Sequence, residues 1–221
     1  MTENENKPQP RCMAQEDLDG VAKVHWHCFP DTDSVFIGLD DDLLKRYYLQ
    51  AAEEPESVVV VLEEPDSGNI VGFAIGTMKP GFPKRFLRRY LFKFVWNILR
   101  VFFVNPLVRK AMCERIRHIK RLIIGKGDVE LADLGVSVPE SEEAYLMRVG
   151  VDAKWRGGGN AERLMKYFAA EMFKKGVNRI RGSVPPENMA SLIMYKCLGW
   201  NTKKISSREV CVWFDRPNSA S

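Results

Sequence analysis

The sequence has few histidines and cysteines, and they are not spaced as metal ligands. It contains three histidines and five cysteines among 221 residues. His25 and His27 are two positions apart in a predicted helix and therefore on different faces, so we expect surface histidines rather than a shared metal site. The cysteines are scattered and odd in number, which predicts free thiols in a reducing compartment. They are Cys12, Cys28, Cys113, Cys197 and Cys211.

The sequence also lacks a long uninterrupted apolar run. Residues 82–104 nearly match the length of a bilayer crossing, but they include six Lys or Arg residues, which argues against a membrane span. Residues 1–10 are polar, so we expect a disordered tail and no signal peptide. With 45% hydrophobic and 28% charged residues, the composition is that of an ordinary soluble protein. We therefore expect a cytoplasmic protein with one domain and an insertion.

Acidic residues are almost missing from one segment. Residues 79–126 contain fourteen Lys or Arg and a single acid, Glu114, a balance of +13. Because the whole chain carries +4, the remainder carries −9. Such segregation of charge usually indicates a partner.

The same segment predicts two helices, over residues 82–104 and 106–124, each with apolar residues on one face and basic residues on the other. Three interpretations stay open. The basic face is solvated over an internal core, or it contacts an anionic membrane surface or a second copy of the chain, or it binds nucleic acid. Nucleic acid is the least expected, since no pattern of a nucleic-acid-binding fold surrounds the aromatic residues.

Three consecutive glycines, Gly157, Gly158 and Gly159, follow a strand-like run and precede a helical one. Glycine permits positive φ and close approach of a ligand, so successive amides can point into one concavity. The helix that begins at Ala161 adds its positive end, and Arg156 adds a full charge. This arrangement favours a phosphate or pyrophosphate, and a tight turn without a ligand is the alternative.

Two common phosphate-binding motifs do not fit this loop. It has no Gly-Lys-Ser/Thr ending of the Walker type. A dinucleotide-binding fold would place the glycines after a first strand, with an acidic residue about 20 positions further on. Here the loop lies two-thirds of the way along the chain.

Together with a downstream segment, the loop resembles the GNAT acetyltransferases. Arg156-x-x-Gly159-x-Ala161 is similar to the acetyl-CoA loop of that family, Gln/Arg-x-x-Gly-x-Gly/Ala. The chain also matches, with the same spacing, the later asparagine, helix tyrosine and glycine–aromatic pair of the family, which here are Asn188, Tyr195, Gly199 and Trp200. The resemblance is specific over residues 143–215, loose over residues 11–78, and absent between them.

The resemblance implies an α/β fold, a mixed and mostly antiparallel twisted sheet with helices on both faces. A basic helical insertion, residues 79–126, would interrupt it between the third and fourth core strands. One acetyltransferase domain would cover residues 11–215, with tails at 1–10 and 216–221. Acetyl-CoA is the implied cosubstrate. The residues implied to bind it are Val149, Val151, Arg156, Gly157, Gly158, Gly159, Asn160, Ala161 and Asn188.

The implied reaction is direct transfer of an acetyl group from acetyl-CoA to a primary amine. Tyr195 is the candidate acid for the leaving thiolate, with a buried core tyrosine as the alternative. No motif assigns the general base, for which Glu142, Glu143, Asp133 and a water chain are candidates. By resemblance, the first two helices and the loop between them border the acceptor site. Their acids, Asp31, Asp33, Asp40, Asp41 and Asp42, either receive an amine or form caps and turns.

The acceptor suggested by a basic, membrane-facing insertion is a small molecule such as an amino sugar on a nucleotide or lipid carrier. The first alternative is a protein lysine or N-terminus. The second is a degenerate GNAT-fold scaffold that binds acetyl-CoA poorly. The second alternative rests on Asn160, because the family usually has an aliphatic residue at this position. A polar side chain here either weakens cosubstrate binding or caps the helix locally.

Periodicity and turn residues predict the remaining elements. Strands are expected over residues 11–13, 57–62, 69–78, 143–151, 178–184 and 206–215. Helices are expected over residues 15–29, 40–52 and 161–173, and from residue 188 onward.

Overall fold

The computed structural model describes residues 7–29, 40–104 and 142–217. Within them, seven strands form one sheet in the order β1-β2-β3-β4-β5-β7-β6. Every neighbouring pair is antiparallel except β4 and β5, which are parallel. This confirms the predicted mixed, mostly antiparallel sheet. The strands are β1 Gln9–Cys12, β2 Ser57–Glu63, β3 Ile70–Thr77, β4 Glu143–Val151, β5 Arg179–Val184, β6 Asn201–Lys204 and β7 Val210–Asp215.

Helices cover both faces of the sheet, as predicted. Those described are α1 Leu18–Cys28, α2 Asp41–Glu53, α3 Phe82–Arg89, α4 Leu91–Val104, α5 Asn160–Lys174 and α6 Met189–Cys197. One core lies beneath α5 and α6 and contains Leu164, Phe168 and Ile180. The other lies beneath α1, α2 and α3 and contains Leu44 and Phe73. Strands β2 and β3 are buried along nearly their whole length because both of their faces are covered, which explains their continuous β-branched runs.

Two ends of the sheet differ from the prediction. Strand β1 begins at Gln9, inside the segment expected to be a disordered tail. The strand predicted over residues 206–215 is shorter, because β7 begins at Val210, and β6, which was not predicted, pairs with it as a hairpin. The sequence of β6, Asn-Thr-Lys-Lys, does not alternate between apolar and polar residues, because it is an exposed edge strand with nothing apolar to bury. Periodicity therefore could not identify it.

The predicted helix over residues 82–104 is wrong as a single helix, because it is divided at Tyr90, whose φ is −110° and ψ is 20°. On one straight helix Phe86 and Phe94 would point about 80° apart. The bend lets both enter the core shared with α2, where Phe86 packs on Tyr47 at 5.2 Å between ring centroids. The second predicted helix, over residues 106–124, lies outside the described residues.

Basic and aromatic residues of α3 and α4 do not separate into two faces as predicted. Phe82, Phe86 and Phe94 are internal, whereas Phe92 is 92% and Trp96 is 69% exposed. Some of the basic side chains form ion pairs with acidic residues of α2 and of the turn after it. Arg85 pairs with Glu54 at 2.8 Å, and Lys93 pairs with Asp42. Part of the basic stripe therefore holds the insertion onto the domain.

The exposed apolar side chains of α4 form a stripe on one face of the helix. It consists of Phe92, Val95, Trp96 and Leu99, which we call the α4 stripe. Arg88 and Arg89 at the end of α3 are also exposed. In the described part of the chain, no helix has both the length and the apolar character needed to cross a membrane.

His25 is buried, so the expectation of a surface histidine is wrong at this position. Its Nδ1 lies 2.7 Å from the Tyr48 hydroxyl, and its ring stacks on Phe73 with centroids 6.0 Å apart. Burial, aided by the positive charge of Arg148, lowers the pKa of His25 to about 3. His25 is therefore a neutral core residue at physiological pH.

Candidate active site

The two parallel strands at the centre of the sheet diverge. Residues 143–145 of β4 pair with residues 179–181 of β5, and beyond them the described part of the chain pairs β4 with β3 alone. A bulge at Met147 shifts the register with β3. The end of β4 therefore presents a backbone edge to a gap, and an extended ligand with amide groups can pair with such an edge like an added strand.

A cavity of about 550 Å³ opens at this gap. Its walls are the end of β4, the glycine loop, the first turn of α5, one face of α6, and the end of α1. Eight of the nine predicted cosubstrate residues line it: Val149, Val151, Arg156, Gly157, Gly159, Asn160, Ala161 and Asn188. Gly158 and the candidate acid Tyr195 are not among the lining residues.

Part of the cavity wall was not predicted from the sequence. Cys28 and Phe29 extend it from α1, and Met194, Cys197 and Leu198 extend it from α6. Met194 lies four positions after Ala190, and Cys197 and Leu198 lie three and four positions after Met194, so helical periodicity from Asn188 onward could have identified them. No pattern in the sequence indicates that the end of α1 faces the glycine loop.

The three glycines of the loop all have left-handed backbone conformations, with φ of 86° at Gly157, 57° at Gly158 and 76° at Gly159. A Cβ atom at Gly157 or Gly158 would meet nothing within 4 Å, so the space above the loop is open. The Asn160 amide closes the turn by donating to the Gly157 carbonyl at 3.1 Å. Consecutive amides in this conformation form a concavity that accepts an anion at the start of α5.

Arg156 braces the end of β4 and also lines the cavity. Its Nε donates to the Val151 carbonyl at 3.0 Å. Burial raises the pKa of the Cys28 thiol, and a hydrogen bond from Arg156 opposes that shift. The guanidinium thus lies between the strand end, α1 and the loop, where it can contribute positive charge to a bound phosphate.

A hydrogen bond joins the end of α1 to the start of the glycine loop. His27 Nδ1 donates to Asp152 Oδ2 at 2.8 Å, and the Lys154 amide donates to Asp152 Oδ1 at 3.1 Å. The hydrogen bond from His27 is the main reason that the pKa of Asp152 lies below its ordinary value. Among the described residues, no group of three or more His, Cys, Asp or Glu side chains is placed to hold a metal ion.

Asn160, the residue that departs from the family pattern, is buried and holds the loop to the helix. Its Nδ2 donates to the Trp155 carbonyl at 2.8 Å, and its Oδ1 accepts from Arg163. A second bond links Arg163 Nη1 to the Gly158 carbonyl at 3.4 Å. The polar side chain therefore supplies contacts within the loop that an aliphatic residue could not make.

Replacing Asn160 by leucine is expected to lower both the free energy of unfolding and the affinity for acetyl-CoA. The Trp155 carbonyl would lose its donor, a loss worth about 1–3 kcal/mol for a buried polar group. Urea unfolding and calorimetric titration would measure the two effects. Asn201→Leu, a change of the same type at an exposed position of β6, is the control. Equal stability and affinity in the two variants would contradict the bracing role.

Helix α6 carries the two downstream residues of the family resemblance. Asn188 caps the helix, because its Oδ1 accepts from the Ser191 amide at 3.2 Å. Tyr195 is 4% exposed, and its ring lies 5.0 Å from that of Trp200. Burial raises the pKa of Tyr195, and the neighbouring Tyr145 raises it further. A phenol in this position stays protonated at neutral pH, which a proton donor requires.

The acidic residues considered as general bases are held in other interactions. Glu143 is buried between two arginines, with Arg179 at 3.3 Å and Arg181 at 3.0 Å. Glu142 accepts from Asn178 Nδ2 at 2.7 Å at the surface. Asp133 lies outside the described residues. Glu143 is therefore a structural ion-pair partner that holds β4 to β5.

The acids at the start of α2 are likewise engaged, and Asp31 and Asp33 lie outside the described residues. Asp40 caps α2 by accepting from the Leu43 amide at 2.9 Å. Asp41 accepts from Trp26 Nε1 at 2.8 Å, and Asp42 pairs with Arg46 at 3.0 Å. These contacts match the cap and turn alternative of the prediction.

Comparison with known proteins gives a family match over the part of the chain that forms most of the cavity wall. The model of the acetyltransferase (GNAT) family matches residues 113–200, which include β4, the glycine loop, α5, β5 and α6. A comparison with curated proteins finds no match in sequence.

Solved structures share the fold at low sequence identity. The yncA acetyltransferase of Salmonella typhimurium, solved with acetyl-CoA, has a TM-score of 0.56 at 14% identity, covering 97% of this chain and 98% of that one. PaiA N-acetyltransferase of Thermoplasma acidophilum, solved with coenzyme A, has a TM-score of 0.56 at 10% identity, covering 95% and 99%. Ribosomal-protein-S5-alanine acetyltransferase of Vibrio fischeri has a TM-score of 0.57 at 14% identity, covering 100% and 98%.

The diverging parallel strands, the glycine loop and the helix behind it define an acetyltransferase that uses acetyl-CoA as cosubstrate. Residues 113–200 of this chain match the acetyltransferase (GNAT) family model, and the fold shared with solved acetyltransferases agrees with that match. The resemblance carried by Arg156, Gly159 and Ala161 is confirmed at the level of the family.

Proposed function

We propose that this protein transfers the acetyl group of acetyl-CoA directly to a primary amine of a small molecule such as an amino sugar. The observation that carries the proposal is the continuity of one cavity from the glycine loop to the end of β4. Acetyl-CoA supplies an activated thioester, so the protein needs only to hold it, orient an amine and protonate the leaving thiolate.

Each part of the cavity suits one part of that task. The open glycine loop and Arg156 provide amides and charge for a pyrophosphate. The edge of β4 at Val149 and Val151 provides backbone groups for an extended amide chain. Tyr195 is the proposed acid, because burial keeps its phenol protonated and the neighbouring Met194 lines the cavity. Asn188 would contact the cosubstrate from the start of α6.

The acceptor class is tested by a panel of amines with release of the CoA thiol as the readout. The probes are glucosamine, putrescine, a lysine-containing peptide and a peptide with a free N-terminus. The proposal expects the highest kcat/KM with a small amine, and glucosamine is the first probe. A preference for either peptide would favour the protein acetyltransferase, and no amine-dependent release from any probe would favour the scaffold.

We further propose that the enzyme acts at an anionic membrane surface, to which the α4 stripe docks. Exposed Phe92 and Trp96 are suited to the membrane interface, and exposed Arg88 and Arg89 lie at the preceding helix end. The balance of +13 over residues 79–126 adds attraction to anionic lipid. Arg85 and Lys93 contribute less, because Glu54 and Asp42 pair with them.

Replacing both Phe92 and Trp96 by alanine is expected to weaken binding to phosphatidylserine-containing vesicles by about 10-fold or more, since each ring contributes apolar burial. Co-sedimentation at low and high salt would measure it, and salt should loosen wild-type binding. Ile205→Ala removes an exposed apolar side chain elsewhere and is the control. If wild type does not pellet with anionic vesicles, or the double variant pellets equally, the stripe contacts protein instead.

A further inference from the structure

Helix α1 ends against the part of β4 that borders the cavity. Cys28 and Phe29 line the cavity from that helix end. They lie directly on Gly150, where an added Cβ atom would meet the Cys28 Sγ at 3.1 Å and the Phe29 Cε2 at 3.2 Å. Gly150 stands between Val149 and Val151, whose backbone groups would pair with the extended amide chain of the cosubstrate. The position of the α1 end therefore determines how much room the cavity has beside that strand edge.

A side-chain hydrogen bond connects the α1 end to the start of the glycine loop. His27 Nδ1 donates to Asp152 Oδ2 at 2.8 Å, and the two residues are 125 positions apart in the chain. His27 directly precedes Cys28, the first residue of the α1 wall of the cavity. The bond therefore fixes this wall relative to the loop, because chain connectivity does not place one against the other.

Asp152 is a fixed anchor for this hydrogen bond. Its amide donates to the Val71 carbonyl of β3 at 2.8 Å, and its carbonyl accepts from the Trp155 amide at 2.8 Å. Its Oδ1 accepts from the Lys154 amide at 3.1 Å, which caps the turn that leads into the glycine loop. Asp152 is thus bonded to the sheet, to the loop and to α1.

The body of α1 is held by other contacts. Val21, Val24 and His25 are buried on the side of the helix that faces the core. The His27 side chain, in contrast, is 52% exposed, and an ion pair or hydrogen bond at such a position contributes little to the stability of a domain. Loss of the bond should therefore leave the domain folded and release only the end of the helix.

We propose that His27 and Asp152 are a positioning pair, which holds the α1 wall of the cavity at the distance from the glycine loop that acetyl-CoA requires. Neither residue is among those that line the cavity. They act through the lining residues that follow them in the chain, Cys28 and Phe29 on α1 and Arg156 in the loop. The inference rests on the proposed binding of acetyl-CoA in this cavity and does not depend on which amine accepts the acetyl group.

A double-mutant cycle measures the pair. His27→Ala is expected to raise the dissociation constant for acetyl-CoA by about 3- to 10-fold, less than a fully buried charge-assisted hydrogen bond would give, because the pair is partly exposed. Asp152→Ala should raise it at least as much, since the cap of the loop turn is lost as well. In the double variant, His27→Ala should add less than about twofold to the effect of Asp152→Ala. Isothermal titration calorimetry measures wild type and the three variants.

His27→Asn separates positioning from a general loss of structure. The asparagine Nδ2 donates from nearly the same place as the histidine Nδ1, so affinity should return to within about twofold of wild type. A role through side-chain bulk or helix propensity would not give this recovery, because asparagine is smaller than histidine and no better in a helix. Lys174→Ala is the matched control. It removes an exposed side chain that bonds to Glu171 at 2.6 Å at the far end of α5.

Three results would overturn the positioning role while wild-type binding stands. They are equal affinity in His27→Ala and Lys174→Ala, full additivity of the two alanine substitutions, and no recovery in His27→Asn. Thermal melting of each variant checks that the domain remains folded. Absence of acetyl-CoA binding to wild type would instead overturn the proposed site, and this inference with it.

Discussion

Gly159→Glu is expected to abolish acetyl-CoA binding while leaving the domain folded. Gly159 has φ of 76°, a conformation that side chains rarely adopt, and it ends the loop that would receive the pyrophosphate. A carboxylate at this point adds repulsion to the pyrophosphate and disturbs the concavity of amides. We expect affinity to fall by at least about 100-fold, because both effects cost a few kcal/mol in a partly enclosed site. Isothermal titration calorimetry with acetyl-CoA measures it.

Gly176→Glu provides a matched control for that variant. Gly176 also has a left-handed conformation, with φ of 93°, and a Cβ there would meet nothing within 4 Å. It lies beyond the C-terminal end of α5, whereas the candidate site lies at the N-terminal end. The control therefore carries similar backbone strain and the same charge away from the cavity. If both variants bind acetyl-CoA as wild type does, the loop is not the pyrophosphate site.

Tyr195→Phe is expected to lower kcat by about 10- to 1000-fold, near the range for loss of one general acid. Phenylalanine keeps the packing on Trp200 and removes only the hydroxyl. Affinity for acetyl-CoA should hardly change, because the hydroxyl is expected to stabilise mainly the charge that develops on the departing sulfur and not the bound thioester. Steady-state kinetics together with calorimetry separate the two quantities.

Tyr167→Phe serves as the control for loss of a phenol, since Tyr167 lies on α5 away from the cavity. Unchanged kcat in Tyr195→Phe would make Tyr195 a core residue and leave protonation of the thiolate to water or backbone. A fall in kcat that is equal in the two variants would indicate a general effect on the domain.

The central part of the fold was predictable because its elements have strong periodic patterns. The apolar stripe of α5 and the β-branched runs of β2 and β3 each predict one element, and the structure has them. The predictions that were wrong concern elements whose structure depends on tertiary packing. His25 enters the core beside Tyr48, and Tyr90 divides a predicted helix so that two phenylalanines reach one core. Both features depend on contacts with α2, which is distant in sequence from the residues concerned.

The part of the candidate site that could be predicted is the part formed by residues close together in sequence. A continuous motif and the helix behind it place Arg156 and the three glycines on one wall of the cavity. Cys28 comes from a helix more than a hundred residues earlier, and no local pattern connects it to that wall. Glu143 precedes the central strand and looked suited to a base, but two arginines from β5 hold it.

A crystal structure of the protein with coenzyme A would test directly whether the cosubstrate binds in this cavity. We expect the pyrophosphate to lie against the amides of the glycine loop and the start of α5, with the amide chain paired to the edge of β4 at Val149 and Val151. The sulfur should lie within hydrogen-bond reach of the Tyr195 hydroxyl. A bound coenzyme whose pyrophosphate lies away from residues 156–161, or whose sulfur does not enter the gap between β4 and β5, would contradict it.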